Sequence, residues 1–326
     1  MPETISTRYP GAQPAVHIRG VSLPNRRARA TERKLAVIVV IVPFLALVGA
    51  IALLWNRSVG LTEISLLAGM YVVGIIGIGV GFHRLFSHRA FQTTTTIKVV
   101  LGIMGSAAAQ GPLLFWAAIH RRHHAFSDRE GDPHSPHLHG PGVLNFFRGF
   151  WHAHTGWLFI PEVHDLGVFV PDLMRDSPVF KVSRLYLWWV LLGLAVPAAL
   201  GGLLSGTWVG ALRGLFWGGL VRIALGHHTT WSVNSICHIY GKRPYRSKDL
   251  SRNNFWLALP SFGEAWHNNH HAFPTSAFHG LEWWQIDISG YLIRLLARMG
   301  LAWDVKRPST RNLAEASLGA GAESKM

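Results

Sequence analysis

The sequence predicts an all-α integral membrane protein. Four membrane-spanning helices, paired as two hairpins, carry a cytoplasmic helical cap that holds a histidine-ligated pair of metal ions. Three observations predict this. The 326 residues are 49% hydrophobic and 15% charged, against about 25% charged in soluble domains. The apolar residues are bunched into long runs, and mean hydropathy is +0.22. Eight of the 19 histidines stand in three tight clusters outside those runs.

The elements follow in chain order. Residues 1–34 are polar and basic, with Arg8, Arg19, Arg26, Arg27, Arg29, Arg33 and Lys34 against Glu3 and Glu32. Proline and charge read as a disordered arm, cytoplasmic by the positive-inside rule. Residues 35–55 carry no charge. At about 1.5 Å per residue they span a hydrocarbon core of about 30 Å. After a short link, residues 63–82 form a second span, with Gly69, Gly74, Gly77, Gly79 and Gly81 suited to close helix packing in lipid. The chain is then back on the cytoplasmic side at His83.

Residues 97–119 are mostly apolar but include Lys98, Gln110, Gly111 and Pro112. A crossing here would put His120 and His83 on opposite faces of the membrane. A re-entrant or interfacial path keeps them together, and it is the path expected. Residues 120–182 read as a cytoplasmic region of loops and short helices. Residues 185–204 and 207–225 are the third and fourth spans, the fourth interrupted by Arg213 and Arg222. Arginine inside a bilayer is costly; Arg222 is expected to snorkel to the surface, and Arg213 has no evident partner. From residue 226 the chain is again cytoplasmic, with an amphipathic surface helix at 289–300. Residues 35–307 form one catalytic domain, and 308–326 read as a disordered Ala/Gly/Ser-rich tail.

Several classes are excluded on the way. A net charge of +14 would suit nucleic acid, but in so apolar a chain it reads as topology and attraction to anionic headgroups, with no nucleic-acid partner. The single cysteine, Cys237, excludes an internal disulfide and a thiolate-ligated cluster. No cleavable signal peptide is visible, since the first apolar run begins near Leu35. There is no H-E-x-x-H, nucleophile elbow, P-loop or dinucleotide fingerprint.

The chemistry rests on histidine spacing. His267, His270 and His271 stand at i, i+3 and i+4, one face of a helix. The same spacing recurs at His120, His123 and His124, and a looser pair, His83 and His88, precedes both. Eight imidazoles exceed the four ligands zinc takes, so two ions with four or five ligands each fit. Imidazole suits Zn, Cu, Fe and Ni alike. The single E-x-x-H, Glu264 to His267, falls short of the two such motifs that soluble di-iron carboxylate bundles use. A two-metal, all-histidine site beside a membrane points to oxygen activation on a lipid, with the protein supplying orientation and a dry channel.

His83-Arg84-Leu85-Phe86-Ser87-His88, His120-Arg121-Arg122-His123-His124 and His267-Asn268-Asn269-His270-His271 resemble the three histidine boxes of membrane fatty acyl desaturases. The stearoyl-CoA, Δ9-type branch, in its bacterial form, is the most similar. Gly131-Asp132-Pro133-His134-Ser135-Pro136, Gly156-Trp157-Leu158, Thr230-Trp231-Ser232-Val233-Asn234-Ser235, His238, Ala272-Phe273-Pro274 and Leu301-Ala302-Trp303-Asp304 extend the resemblance over roughly residues 35–307. The resemblance implies two iron ions. One takes His83, His88, His120, His124 and His270; the other takes His123, His267, His271 and a ninth ligand, His238, which alone would read as a surface residue. It also implies that Asn234 holds a metal-bound water and that Thr230 and Trp231 line an acyl tunnel. His134, His137, His139, His152, His154, His164, His227, His228 and His279 are left to supporting or surface roles.

The implied reaction is O2-dependent insertion of a cis double bond, at Δ9, into a long saturated chain carried as acyl-CoA or acyl-lipid. Without a His-Pro-Gly-Gly or ferredoxin cysteine set in the chain, electrons come from a separate ferredoxin- or cytochrome b5-type donor with its reductase. Membrane lipid is the surrounding partner, and a bacterial inner membrane with both termini cytoplasmic is the expected location. The chain departs from the acyl-CoA pattern at Ala118 and Ile119, where charged residues that contact CoA usually stand. The rivals are a hydroxylase with the same oxidant and a membrane metal-binding or transport protein.

Overall fold

The computed structural model describes residues 18–55 and 59–317. Helix α1 (Arg26–Trp55) begins well before its apolar run. The Asn25 carboxamide accepts the Ala28 N–H at 2.9 Å and closes the first turn. Upstream, strand β1 (Val21–Ser22) pairs antiparallel with Val163–His164 of the cap. The arm expected to be disordered to residue 34 is therefore fixed from Ile18 onward, because a cap and a strand partner hold it; residues 1–17 lie outside the described segments.

Helix α2 (Leu61–Ser87) is the second apolar span. Glu63 reaches back to accept the Gly60 N–H at 2.9 Å. From Gly77 onward the helix opens into the wider i→i+5 geometry, so it runs five residues past the expected end at Phe82. Glycine permits the packing there: a Cβ at Gly105 of the next helix would lie 2.5 Å from the Phe82 ring.

Residues 97–119 do not cross as one helix. They divide between α3 (Thr95–Ala107) and α4 (Leu113–Phe126). Thirteen residues reach about 20 Å, short of a hydrocarbon core of about 30 Å. The elbow between them takes left-handed backbone at Ala109 (φ 61°) and Gly111 (φ 101°). It leaves carbonyls at a helix end beside the apolar spans, where no water serves them.

Arg222 serves them. It does not snorkel: it is 2% exposed and donates to Ala107 O at 2.8 Å, Gly193 O at 2.9 Å and Gly218 O at 3.2 Å. Gly193 lies in the third span, α6 (Tyr186–Ser205), four residues before Pro197, which has no N–H to give it. The His227 Nε2 faces Ala109 O at 3.0 Å. A buried cation replaces donors that an elbow and a proline removed, and the carbonyl dipoles offset its charge.

The fourth span, α7 (Trp208–His238), follows a tight turn through Gly206 (φ 66°) and continues past the expected end at 225 to reach the cap. Arg213 finds its partner at the far end of the hairpins, 3.6 Å from the Glu63 carboxylate.

The cap contains α5 (Val143–His154), α8 (His267–Ala272) and α9 (Ile288–Arg298). As expected, α9 is an amphipathic surface helix: Ile293 lies in the core with Leu292 and Leu296 packed against it, while Arg294 and Arg298 are exposed. A second antiparallel pair joins Gln92–Thr93 to Ala302–Trp303. The main core, with Phe82, Leu113, Ala117, Val182, Ala277 and Ile293, sits where α2, α3, α4 and the cap meet. The tail is structured over part of its length: α10 (Thr310–Ala316) is capped by Ser309, and Ala316 O accepts the Arg246 N–H at 2.8 Å. Disorder expected from residue 308 therefore does not extend over this helix, which has both a cap and a backbone partner. Residues 318–326 lie outside the described segments.

Candidate metal centre

Backbone geometry decides which histidines meet. Five residues on an α-helix are about 140° apart, which would separate His83 from His88. The wide end of α2 instead closes a His88 N–H to His83 O bond at 3.1 Å, and the two ring centres stand 4.9 Å apart. In the two triplets, residues i and i+4 differ by about 40° and residue i+3 turns about 60° the other way. Each triplet thus faces two points. His120 and His124 of α4 join His270 of α8, while His267 and His271 of α8 join His123 of α4.

Two groups result. His83, His88, His120, His124 and His270 form one; His123, His238, His267 and His271 form the other. Within each, one nitrogen per ring lies within 4.8 Å of all the others. The division is the one the resemblance implied. The two groups touch where His124 stacks on His271, ring centres 4.4 Å apart.

The nitrogens themselves show what fits between them. His83 Nε2 faces His270 Nε2 at 3.0 Å, His88 Nε2 faces His120 Nε2 at 2.7 Å, and His238 Nε2 faces His267 Nε2 at 3.0 Å. In four rings the other nitrogen is engaged by a carboxylate: His83 by Glu264, His123 by Asp132 at 2.9 Å, His238 by Asp128 at 2.8 Å and His271 by Asp249 at 2.5 Å. A proton on Nδ1 leaves a lone pair on Nε2. The Nε2 atoms of His123 and His271 are buried with no hydrogen-bond partner. Lone pairs aimed at one another repel, and a cation between them turns the repulsion into bonds. Neighbouring ligands at about 2.1 Å from an ion stand about 3 Å apart, which matches these separations. The donor set fits a pair of first-row metal ions.

Electrostatics agree. Burial drives the pKa values of His88, His120, His124, His267 and His270 well down, leaving neutral imidazoles. Burial pushes Asp132 up, but the His123 imidazole outweighs it and holds the carboxyl at about 2. Asp128 and Asp249 are likewise held below the usual range against their burial, by His238 and His271 respectively. Glu264 is held down by Arg84 and His83. Arg84 is fully buried and binds Glu264 and Asp287, both at 2.8 Å.

Thr230 and Trp231 lie on α7 beside the five-histidine group rather than in it. Thr230 Oγ1 accepts from Gln110 Nε2 at 2.9 Å. Gln110 Oε1 in turn accepts from Trp116 Nε1 at 3.4 Å, and Trp116 stacks on His120. Trp231 is buried among His154, His227 and His228. Asn234 is half-buried one turn before His238. Ala118 is 0% and Ile119 6% exposed, both in the interior. His134 stacks on His123, and the His137 Nε2 faces His238 O at 2.8 Å.

Sequence reasoning missed the carboxylates. Glu264 had a signal, the discounted E-x-x-H; Asp132 stands in Gly131-Asp132-Pro133 but nothing marked it as a partner of His123. His279, left to a supporting or surface role, is fully buried against His83 and His270, with its Nδ1 3.8 Å from Glu264.

Four apolar helices long enough to cross a bilayer, joined to two polyhistidine clusters able to hold metal ions, define the class: a membrane protein with a histidine-rich cap. A fatty acid desaturase family model matches residues 62–289, and the chain belongs to that family of oxidoreductases. It is 45% identical to a hex-5-enoyl-acyl-carrier-protein acetylenase of Moorena producens, over 95% of this chain and 97% of the relative. It is 42% identical to Δ9 acyl-lipid desaturase 1 of Arabidopsis thaliana, over 74% of each chain. It is 41% identical to an sn-1 stearoyl-lipid 9-desaturase of Synechocystis sp., over 73% of this chain and 70% of the relative.

Proposed function

We propose that this protein uses O2 and two electrons to insert a cis double bond, at Δ9, into a long saturated acyl chain. The balance is one –CH2–CH2– unit, O2, two electrons and two protons giving one alkene and two waters. The observation that carries the reading is the convergence of nine histidine side chains into two groups with facing ring nitrogens. The nine histidines would hold two iron ions, which when bound would supply oxidising power from O2 toward unactivated C–H bonds. The protein's own task is to hold the rings in place through Glu264, Asp128, Asp132 and Asp249, and to position the acyl methylenes away from water. Asn234 orients a water beside His238. Thr230, Gln110, Trp116 and Trp231 line the acyl path.

The carrier is an acyl-lipid, an acyl-carrier protein or CoA, and the residues before the second histidine cluster favour the first two. Ala118 and Ile119 are apolar and buried, so these positions offer no charged contact to CoA; the relatives include acyl-lipid desaturases, an acyl-carrier-protein acetylenase and acyl-CoA desaturases. A separate ferredoxin- or cytochrome b5-type protein delivers electrons to the basic cap. The cluster Arg26, Arg27, Arg29, Arg33 and Lys34 at the start of α1 supports a cytoplasmic N-terminus, and with four spans the C-terminus and cap share that side of a bacterial inner membrane.

The test is expression in a host lacking its own desaturase, with gas chromatography–mass spectrometry of derivatised lipids. A Δ9 alkene is expected. A hydroxylated product without alkene would make the protein a hydroxylase. No O2 consumption by iron-loaded protein with reductant and acyl substrate would return it to metal binding or transport.

A further inference from the structure

The two histidine groups are not backed alike. Behind the four-histidine group stand three carboxylates, each on a different ring: Asp132 on His123, Asp128 on His238 and Asp249 on His271. Behind the five-histidine group stands one, Glu264 on His83. That one is already matched by the buried Arg84, which donates to Glu264 Oε1 through Nη2 at 2.8 Å and Nε at 3.2 Å. Arg84 also binds Asp287, which engages no ligand ring.

The three aspartates are themselves fixed and ionised. Asp128 accepts the Leu250 N–H at 2.8 Å and the Ser135 hydroxyl at 2.7 Å. Asp132 accepts the N–H groups of Asp128 at 2.9 Å and His134 at 3.1 Å. Asp249 accepts the hydroxyls of Ser251 at 2.6 Å and Ser247 at 2.8 Å. Among the described residues none has a guanidinium on its carboxylate comparable to Arg84 on Glu264; Arg243 donates to the Asp249 main-chain carbonyl and the Ser247 hydroxyl.

Two effects follow on the four-histidine side. Three of its four rings are held in one tautomer and one orientation, so little freedom is lost when an ion arrives. Three nearby negative charges, shielded from water, attract a divalent ion directly. On the five-histidine side, among the described residues, only His83 is so held; the Nδ1 of His270 is buried with no partner, as is that of His267, the one unbacked ring of the four-histidine group. Its fifth imidazole adds a neutral donor, which does not replace the missing charge.

We infer that the four-histidine position is the tight, persistently occupied metal site, and that the five-histidine position is the exchangeable one. Asp128, Asp132 and Asp249 act as positioning residues that create the difference. The inference rests on the metal reading above, and its test separates the two.

Full-length protein, iron-loaded in lipid nanodiscs, is exposed to an iron chelator, and retained iron per chain is followed by atomic absorption. Two release phases of one iron each are expected, at least roughly ten-fold apart. His267→Ala should lack the slow phase, and His120→Ala should lack the fast one. Asp249→Asn should speed the slow phase by about ten- to hundred-fold, the usual effect of removing such a partner, and leave the fast phase alone. Asp132→Asn repeats the test on another loop if Asp249→Asn does not fold. A single release rate for both irons, or a slow phase surviving in His267→Ala, overturns the inference alone. A wild-type chain that takes up no iron overturns the metal reading with it.

Discussion

Arg222 donates to the Gly193 carbonyl at 2.9 Å, filling the place that Pro197, four residues on, leaves without a donor. The same guanidinium closes the end of α3 at Ala107. One buried cation thus ties the third span, the fourth span and the elbow that carries α4 and its histidines.

Arg222→Leu should strip two buried carbonyls of their partners. At about 1–3 kcal/mol each, the loss is roughly 2–6 kcal/mol, seen as a lower unfolding temperature in nanodiscs. Pro197→Ala restores an N–H to Gly193, so the double variant should lose less than the sum. Strict additivity would refute the coupling.

Removal of a single ligand should separate chemistry from folding. His267→Ala, at a buried position of the four-histidine group, should lower alkene product to background and iron content by about one per chain, while membrane insertion persists. Product retained at the wild-type level would remove His267 from the ligand set.

Thr230→Val keeps side-chain volume but breaks the 2.9 Å bond to Gln110. Since Gln110 also holds Trp116, which stacks on His120, the acyl chain should lose its fixed register. The expected outcome is a broader spread of double-bond positions with little loss of stability, about 1 kcal/mol. An unchanged product profile would place Thr230 outside the acyl path.

The sequence carried the spans well, because a long apolar run has few alternatives in a bilayer. It carried the triplets too, because i, i+3, i+4 on a helix fixes relative direction. Helical spacing alone did not carry the His83–His88 pairing, which the resemblance implied; it depends on the wide i→i+5 end of α2, a backbone state with no residue code. Arg222 was misjudged for a related reason. Snorkelling is the default for a lone arginine near a span end, and the competing demand came from carbonyls at Ala107 and Gly193, far away in the chain. The carboxylates behind the rings were illegible because Asp128, Asp132 and Asp249 meet the histidines only through loops folded back onto α4, α7 and α8. The helical start at Arg26 was legible in hindsight, since Asn25 is a good N-cap.

The buried histidines outside the two groups set an acid limit. Burial, and secondarily the facing His228, lowers the pKa of His154 to about 4; its rings face His228 Nδ1 and Ser235 Oγ, both at 3.0 Å. His152 and His164 are lowered to about 4 as well, chiefly by burial. In the unfolded chain these groups titrate at about 6.5. Above that value both states are neutral and stability does not depend on them. As pH falls from 6.5 toward 4, the unfolded state takes protons that the folded state refuses, so stability falls; below 4 both states are charged and the loss levels off. Unfolding temperature should therefore drop between pH 6.5 and 4. His154→Asn should make that drop shallower than in the wild type, while metal release at acid pH affects both alike. An identical pH profile in the variant would show that His154 titrates at its ordinary value in the folded protein.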